Sequence, residues 1–150
     1  MALFLTNTGT GDLISVITSS TSAIDVTAAW ADATTDGSST VVATGRTETA
    51  ISSATTTTVV AGPASAKTRN VKTLLIRNKG AANNDVTVQF DVAATLYEIH
   101  KCTLAPGDLL SYFEGVGFYQ YTSLKLNAKL RVSGDVTNAG TSFADITGLT

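Results

Sequence analysis

Five short strand-like runs follow one another between residues 70 and 121, and a turn signal closes each of them. The runs are rich in β-branched and aromatic residues, while Gly, Pro, Asn and Asp stand between them, which is typical of strands joined by turns. They cover residues 70–79, 85–91, 96–104, 109–113 and 118–121. We therefore predict an all-β fold, an antiparallel β-sandwich of jelly-roll-like type.

The composition supports sheet over helix. Only 15% of the 150 residues are charged, and Thr and Ser are abundant in their place. Thr is β-branched, which favours strands, and its hydroxyl group tolerates a solvent-facing position. A chain of this length fits one domain, which we place at residues 1–150.

The sequence before residue 70 predicts further strands. Residues 13–18 form one candidate, and Ile24, Val26, Ala28 and Trp30 recur with the period of two that marks a half-buried strand, with Trp30 as a core anchor. Asp36-Gly37 predicts a hairpin turn and residues 40–44 its return strand. We predict a polar connection at residues 45–51 and a strand at residues 56–61, which Gly62-Pro63 ends.

Three loops in the central stretch have specific signatures. Residues 78–84 contain Gly80 and two adjacent asparagines, which predicts a hairpin loop. Pro106-Gly107 has the residue order of a type II turn. Gly115 and Gly117 bracket one valine, which predicts a bulge or a corner.

Residues 71–76 are apolar on both faces, which is typical of a strand in the middle of a sandwich or covered by a partner.

The two ends of the chain carry separate expectations. Residues 1–12 form an N-terminal arm or a first edge strand. Residues 124–132 alternate apolar and polar side chains, and the polar face holds Lys125, Lys129 and Arg131. This pattern predicts an edge strand guarded by lysine, with a docking surface for an acidic neighbour as the alternative. Residues 133–150 are predicted as a C-terminal extension, either a last strand with a tail or an arm that reaches another subunit.

The candidate chemical groups lie on one predicted strand. Glu98, His100 and Cys102 alternate along it, and the chain has one His and one Cys, so an intrachain disulfide is excluded. Three ligands from one strand suit a metal poorly, because four residues span about 13 Å. The sequence shows no nucleophile elbow and offers His100 as the only possible base of a triad. We predict no catalytic, cofactor or metal site and no enzyme activity.

Charge and hydrophobicity exclude other classes of partner. The net charge of −2 gives no basic surface for nucleic acid or for an anionic membrane. The first residues lack the pattern of a signal peptide, and no apolar run approaches the roughly 20 residues of a membrane span. We therefore expect synthesis in a cytoplasm, with neither nucleic acid nor membrane as a partner.

Several of these runs resemble one known group of proteins. They are residues 13–18 and 24–26, the threonine-rich residues 55–64, then residues 69–78, 85–89, 97–108 and 114–117. Together they resemble the small virion structural proteins of tailed bacteriophages over about residues 13–121. The resemblance implies a β-sandwich built into a virion, and it carries no catalytic residues.

Within that resemblance, we expect a capsid decoration or cement protein on the outer head surface. It would be assembled in the host cytoplasm as a homo-oligomer, a trimer, bound to the major capsid protein or to other virion proteins. One alternative is a tail, baseplate or head–tail joining protein. Another is a carbohydrate-binding β-sandwich for host attachment, with Tyr97, Tyr112, Tyr119 and Tyr121 as stacking platforms.

Overall fold

A computed structural model describes residues 1–7, 11–36 and 39–123, and within them the chain forms strands joined by turns and loops, without a helix. None of the described segments is therefore a helix with the length and apolarity that crossing a membrane requires. The strands are β1 (Leu3–Thr6), β2 (Leu13–Thr18), β3 (Ile24–Asp36), β4 (Ser39–Ile51), β5 (Thr56–Val60), β6 (Thr68–Asn78), β7 (Asn84–Val92), β8 (Thr95–Leu104), β9 (Leu109–Phe113) and β10 (Gly117–Tyr121).

The strands form two antiparallel sheets that pack face to face. In sheet A the order is β10-β9-β6-β3-β4. β1 and β9 share one edge of β6: β1 pairs with its first half and β9 with its second half. In sheet B the order is β5-β2-β7-β8. The predicted all-β antiparallel sandwich is therefore confirmed.

The core lies between the two sheets and is made mostly of β-branched and leucine side chains. The period-two pattern of the sequence places them: Ile24, Val26 and Ala28 point inward from β3, as predicted. The largest fully buried side chains include Tyr112, Leu5, Ile14, Ile24, Leu74, Ile76, Leu104 and Leu110. The apolar run at residues 71–76 belongs to β6, the middle strand of sheet A.

The start of the chain is an edge strand and not an arm. Leu3 and Leu5 in β1 are buried, and β1 pairs with β6 from Leu3↔Val71 to Thr6↔Thr68. The backbone N–H of Leu3 donates to the hydroxyl of the buried Tyr112 at 3.1 Å, and that hydroxyl donates to the carbonyl of Met1 at 3.3 Å. Of the two expectations for residues 1–12, the first edge strand is correct, because alternate leucines fill the core.

We expect Tyr112→Phe to loosen β1 while leaving the rest of sheet A intact. The substitution leaves the buried N–H of Leu3 without its acceptor, which costs about 1–2 kcal/mol of the free energy of unfolding. Amide hydrogen exchange should become faster at β1 and stay unchanged at β9. Tyr119→Phe removes an exposed hydroxyl and serves as the control. Unchanged exchange at Leu3 in the Tyr112 variant would contradict the role of this hydroxyl.

The β3–β4 hairpin is longer than its sequence predicts. It pairs without a break from Ile24↔Ile51 to Asp36↔Ser39, so the polar connection predicted at residues 45–51 is wrong. β4 is the edge strand of sheet A, and most of its side chains are exposed on both faces. Its strand conformation therefore comes from backbone pairing with β3, which hydrophobic periodicity does not report. Gly37, in the predicted turn, lies outside the described residues.

Trp30 packs against the core but stays partly exposed, as an anchor at its margin. Its indole lies against Gly45 on the neighbouring strand, where an added Cβ would stand 2.9 Å from the ring. Arg69, on β6, places its guanidinium 4.4 Å from the centroid of the Trp30 ring. Arg69 also forms a two-point ion pair with Asp32, with N–O distances of 2.7 and 2.9 Å. Through both contacts, Arg69 joins β6 to the neighbouring strand β3.

Residues 78–84 connect the two sheets, so the predicted hairpin loop is wrong. β6 belongs to sheet A and β7 to sheet B, and the loop crosses between them. Three buried polar side chains stabilise this connection between the sheets. We name them the polar plug: Ser22, Asn78 and Asn84. Asn78 donates to the carbonyls of Ala82 and Leu104, both at 2.8 Å, and Asn84 donates to the carbonyl of Ser22 at 2.8 Å. Side-chain hydrogen bonds replace the strand ladder here.

The turn predicted at Pro106-Gly107 is present, and a hairpin stands where a bulge or a corner was predicted at Gly115 and Gly117. Gly107 has a φ of 87°, and the N–H of Asp108 donates to the carbonyl of Ala105 at 2.9 Å, as a type II turn requires. Gly115 and Gly117 have φ values of 80° and 112° and join β9 to β10 in a hairpin, with Phe113 opposite Gly117. The predicted strand at residues 124–132 and the extension at residues 133–150 lie outside the described residues.

Candidate functional site

Glu98, His100 and Cys102 do not share a face of β8. Gln89 of β7 pairs with Glu98 and Val88 pairs with His100, so Ile99 is an extra residue that forms a bulge. His100 and Cys102 therefore face the core beside Val88 and Val86, while Glu98 faces outward beside Gln89. The alternation predicted for this strand is wrong at the bulge, which separates Glu98 from the other two groups.

The surroundings of His100 and Cys102 favour their neutral forms. The His100 ring stacks on Phe118 with centroids 4.7 Å apart and an interplanar angle of 9°, and burial lowers the pKa of the imidazole. Burial raises the pKa of the Cys102 thiol, and the carboxylates of Asp108 and Asp85 add to this effect. His100 therefore packs against β10, and Cys102 packs against the core. Among residues 1–7, 11–36 and 39–123, no three His, Cys, Asp or Glu side chains are grouped so that they could hold a metal ion.

The outer face of sheet A carries a set of exposed aromatic rings. Phe4, Phe113, Tyr119 and Tyr121 are 52%, 40%, 51% and 55% exposed, and we name these four residues the aromatic face. Tyr119 pairs with Ser111, which pairs with Leu75, and Tyr121 pairs with Leu109. Because cross-strand partners share a face, the two tyrosines stand side by side above partly buried leucines.

Strand alternation places these rings outside the core. Tyr112 and Phe118 are cross-strand partners that turn inward and contact each other at 5.1 Å between centroids. Their chain neighbours Phe113 and Tyr119 therefore turn outward. The sequence at 117–121 shows this alternation, but only the register with the buried Tyr112 reveals which set is exposed.

One ion pair borders the aromatic face, because Lys72 pairs with Glu114, the chain neighbour of Phe113, at 2.5 Å. A second pair, between Lys79 and Asp25 at 2.8 Å, lies on the same sheet, with Asp25 two strands away from Leu109. Hydrogen bonds from Lys72 and Asn70 lower the pKa of the Glu114 carboxyl. An apolar centre with a polar, paired rim is the usual anatomy of a protein-binding surface. The arrangement suits association rather than proton transfer or nucleophilic attack.

The four tyrosines proposed as stacking platforms lie in different places. Tyr112 is fully buried, so its assignment as a platform is wrong. Tyr97 is 54% exposed on β8 of sheet B, away from the other two. Tyr119 and Tyr121 lie on the aromatic face, where Phe4 and Phe113 join them without having been singled out from sequence.

Comparison with known proteins identifies no relative of this chain. No protein-family model, curated protein or solved structure matches it. A functional proposal therefore depends on the chain's own residues and on the resemblance of residues 13–121.

Proposed function

We propose that this chain is a structural protein of a tailed-phage virion, a capsid decoration or cement protein that binds the outer head surface as a homo-oligomer, a trimer. The observation that carries the proposal is the aromatic face, with four rings between 40% and 55% exposed on one side of one sheet. The assignment to a virion and to the head is supported by the resemblance of residues 13–121.

The aromatic face has the chemistry of a permanent contact. An aromatic side chain buries about 150–250 Å² when it is fully covered, so rings left half exposed have apolar area available for a partner. Tyrosine is enriched among the residues that dominate binding energy, and charged residues are depleted at the centre of an interface. The low charge of the chain, 15% of residues, suits binding by shape and apolar contact.

The N-terminal segment is unsuitable for testing this proposal by deletion. β1 contributes Leu3 and Leu5 to the core, so removing residues 1–12 would damage the sandwich as well as any contact. Substitutions on the outer face of β10 avoid this problem, because Tyr119 and Tyr121 are half exposed.

We expect Tyr119→Ser/Tyr121→Ser to reduce binding to capsids that lack this protein by at least about tenfold, since each hot-spot ring contributes roughly 1–2 kcal/mol or more. Purified protein is added to such capsids, and bound copies are counted by gel densitometry and cryo-electron microscopy. Val41→Ser/Val42→Ser is the control, because these valines are 61% and 62% exposed on β4. Equal occupancy by the wild-type protein and the tyrosine variant would contradict the role of the aromatic face.

Two rival functions are separated by further measurements. Antibody labelling of intact virions should decorate the head surface, whereas labelling confined to the tail or to the head–tail joint would favour the joining or tail alternative.

The adjacent Tyr119 and Tyr121 also favour a carbohydrate-binding sandwich as a second candidate, because tyrosine rings can stack on sugars. A glycan array on which the wild type binds and Tyr119→Ser/Tyr121→Ser does not would support that candidate.

A further inference from the structure

The edge of sheet A at β4, which we call the open edge, is long and has few of the features that keep a strand edge from pairing. β4 spans 13 residues, and among the described residues β3 is the strand that pairs with it. β4 contains neither Lys nor Pro, and its register with β3 is unbroken, so no bulge twists the edge away. Lysine, proline and bulges are common protections of an edge strand. The open edge is therefore suited to pair with another strand.

The direction of the backbone groups on β4 follows from the strands beside it. The N–H of Asn78 donates to the carbonyl of Asp108 at 3.0 Å, and its own carbonyl accepts from the N–H of Gly107 at 2.8 Å, so both point away from β3. Ile24, opposite Asn78, therefore directs its groups to Ile51 on β4. Because the register continues unbroken, alternate residues of β4 direct their N–H and C=O groups to the open edge. They are Thr44, Arg46, Glu48 and Ala50.

The inner side of β4 is fixed to the rest of the sandwich. The hydroxyl of Thr47 donates to the carbonyl of Val59 on β5 at 2.8 Å, and Gly45 lies against the Trp30 ring. These contacts hold the backbone of β4 in place and leave its open-edge groups unused. A strand that is already ordered loses little conformational freedom when a partner pairs with it, which favours association.

The charged side chains of β4 are complementary to those of a second copy. Arg46 and Glu48 are the charged residues of the strand, and they form an exposed ion pair on its outer face with an N–O distance of 3.6 Å. In an antiparallel pair of identical strands centred on Thr47, Arg46 of each copy stands opposite the partner's Glu48. The same pairing sets Thr44 opposite Ala50, so the open-edge groups of both strands can exchange hydrogen bonds.

The nearest alternative registers place like charges together. Each side chain keeps its face of the sheet only when the register shifts by two residues. A shift in one direction sets Arg46 opposite the partner's Arg46, and a shift in the other direction sets Glu48 opposite the partner's Glu48. Like charges that stand directly opposite each other destabilise a sheet. The charges therefore favour the register centred on Thr47.

We propose that β4 strands of two copies pair antiparallel along residues 44–50, so that sheet A continues from one copy into the other. The surface is self-complementary, as a twofold contact requires, and its partner is a second copy of this chain. The inference goes beyond the proposed function and is independent of it, because β4 lies at the opposite edge of sheet A from β9 and β10 of the aromatic face. A trimer formed through other surfaces leaves the open edge available, and the pairing then joins copies of different trimers.

Charge reversal at the open edge of the full chain tests the proposal. Arg46→Glu gives this edge two negative charges and Glu48→Arg gives it two positive charges. Both side chains are mostly exposed, at 76% and 64%, so the fold should tolerate either change. In sedimentation velocity, the wild type should form a species of twice the mass of the one that each variant forms alone. We expect each variant to self-associate at least about tenfold more weakly, because like charges then oppose each other.

Mixing the two variants provides the matched control. An equimolar mixture of Arg46→Glu and Glu48→Arg should restore the larger species, because each negative side chain then stands opposite a positive one. Lys101→Glu reverses an exposed charge on β8 and should leave the wild-type assembly unchanged. A wild type with the same mass as both variants would overturn the proposal. A larger wild-type species that neither variant weakens, or a mixture that stays dissociated, would overturn it as well.

Hydrogen exchange measured by NMR locates the contact on the strand. The amides of Glu48 and Ala50 should exchange at least about tenfold more slowly in the wild-type assembly than in Arg46→Glu, because they donate to the partner strand. The amide of Thr49 points to β3 by strand alternation and should be equally protected in both proteins. Fast exchange of Glu48 and Ala50 in an assembled wild type would mean that the copies associate elsewhere, which also overturns the proposal.

Discussion

Asn78→Ala is expected to lower the free energy of unfolding by about 3–4 kcal/mol, because it removes the centre of the polar plug. Its amide donates to the carbonyls of Ala82 and Leu104 at 2.8 Å and accepts from the hydroxyl of Ser22 and the N–H of Gly80, both at 3.0 Å. Asn78 is fully buried, and its bonds to Leu104 and Ser22 are buried too, so these two partners would each lose a hydrogen bond away from solvent. Urea denaturation should show a lower midpoint with an unchanged slope.

Asn83→Ala is the matched control for the plug. Asn83 lies in the same loop, but its side chain is exposed, so its removal should change the free energy of unfolding by less than about 0.5 kcal/mol. Thermal unfolding should separate the two variants by about 10 °C at this chain length. Equal stability of the two variants would mean that water replaces the Asn78 amide and that the plug contributes little.

Much of the sandwich could be predicted from hydrophobic alternation and turn residues. Residues 13–18 were predicted as a strand and form β2 with the same bounds. Their apolar residues indicate the strand, and the serine-rich turn that follows marks its end. The type II turn at Pro106-Gly107 was also predicted, since proline and glycine fix its φ angles locally. These elements follow from residues that lie close together in the chain.

The errors arose where a distant strand determines the local structure. Residues 45–51 form a strand because they pair with β3, although all of them except Ile51 are at least partly exposed. The bulge at Ile99 depends on the register between β7 and β8, and it changes which face Glu98 occupies. Residues 78–84 contain ordinary turn residues, and only the sheet membership of β6 and β7 shows that they cross between layers.

The candidate interaction surface was hidden for the same reason. The sequence shows four tyrosines, but it does not show that Tyr112 is buried while Tyr119 and Tyr121 are exposed. That distinction follows from the pairing of Tyr112 with Phe118, which fixes the inner face of the β9–β10 hairpin. A surface assembled from β1, β9 and β10 therefore requires the register of three strands.

Arg69→Ala is expected to lower the free energy of unfolding by about 2–3 kcal/mol, since it leaves a largely buried carboxylate without its partner. The side chains of Arg69 and Asp32 are only 12% and 13% exposed. The guanidinium also donates to the carbonyl of Ala61 at 2.8 Å and covers the Trp30 ring. Arg69→Lys keeps the charge but loses the two-point geometry, so it should lose about half as much stability. Urea denaturation at pH 7 measures both variants.

The pH dependence separates the ion pair from simple packing. The hydrogen bonds from Arg69 are the main reason that the pKa of Asp32 is lowered in the folded chain. Stability from a lowered carboxyl pKa is complete above the ordinary value of about 4 and is lost as the pH falls through the folded value. The difference in unfolding free energy between the wild type and Arg69→Ala should therefore be constant near pH 7 and shrink below pH about 4.

In an Asp32→Asn background the same arginine substitution should show no such decrease, because the titrating carboxylate is gone. A wild-type difference that stays constant down to pH about 2 would mean that Arg69 stabilises the chain by covering Trp30 and Ala61, without a contribution from its charge.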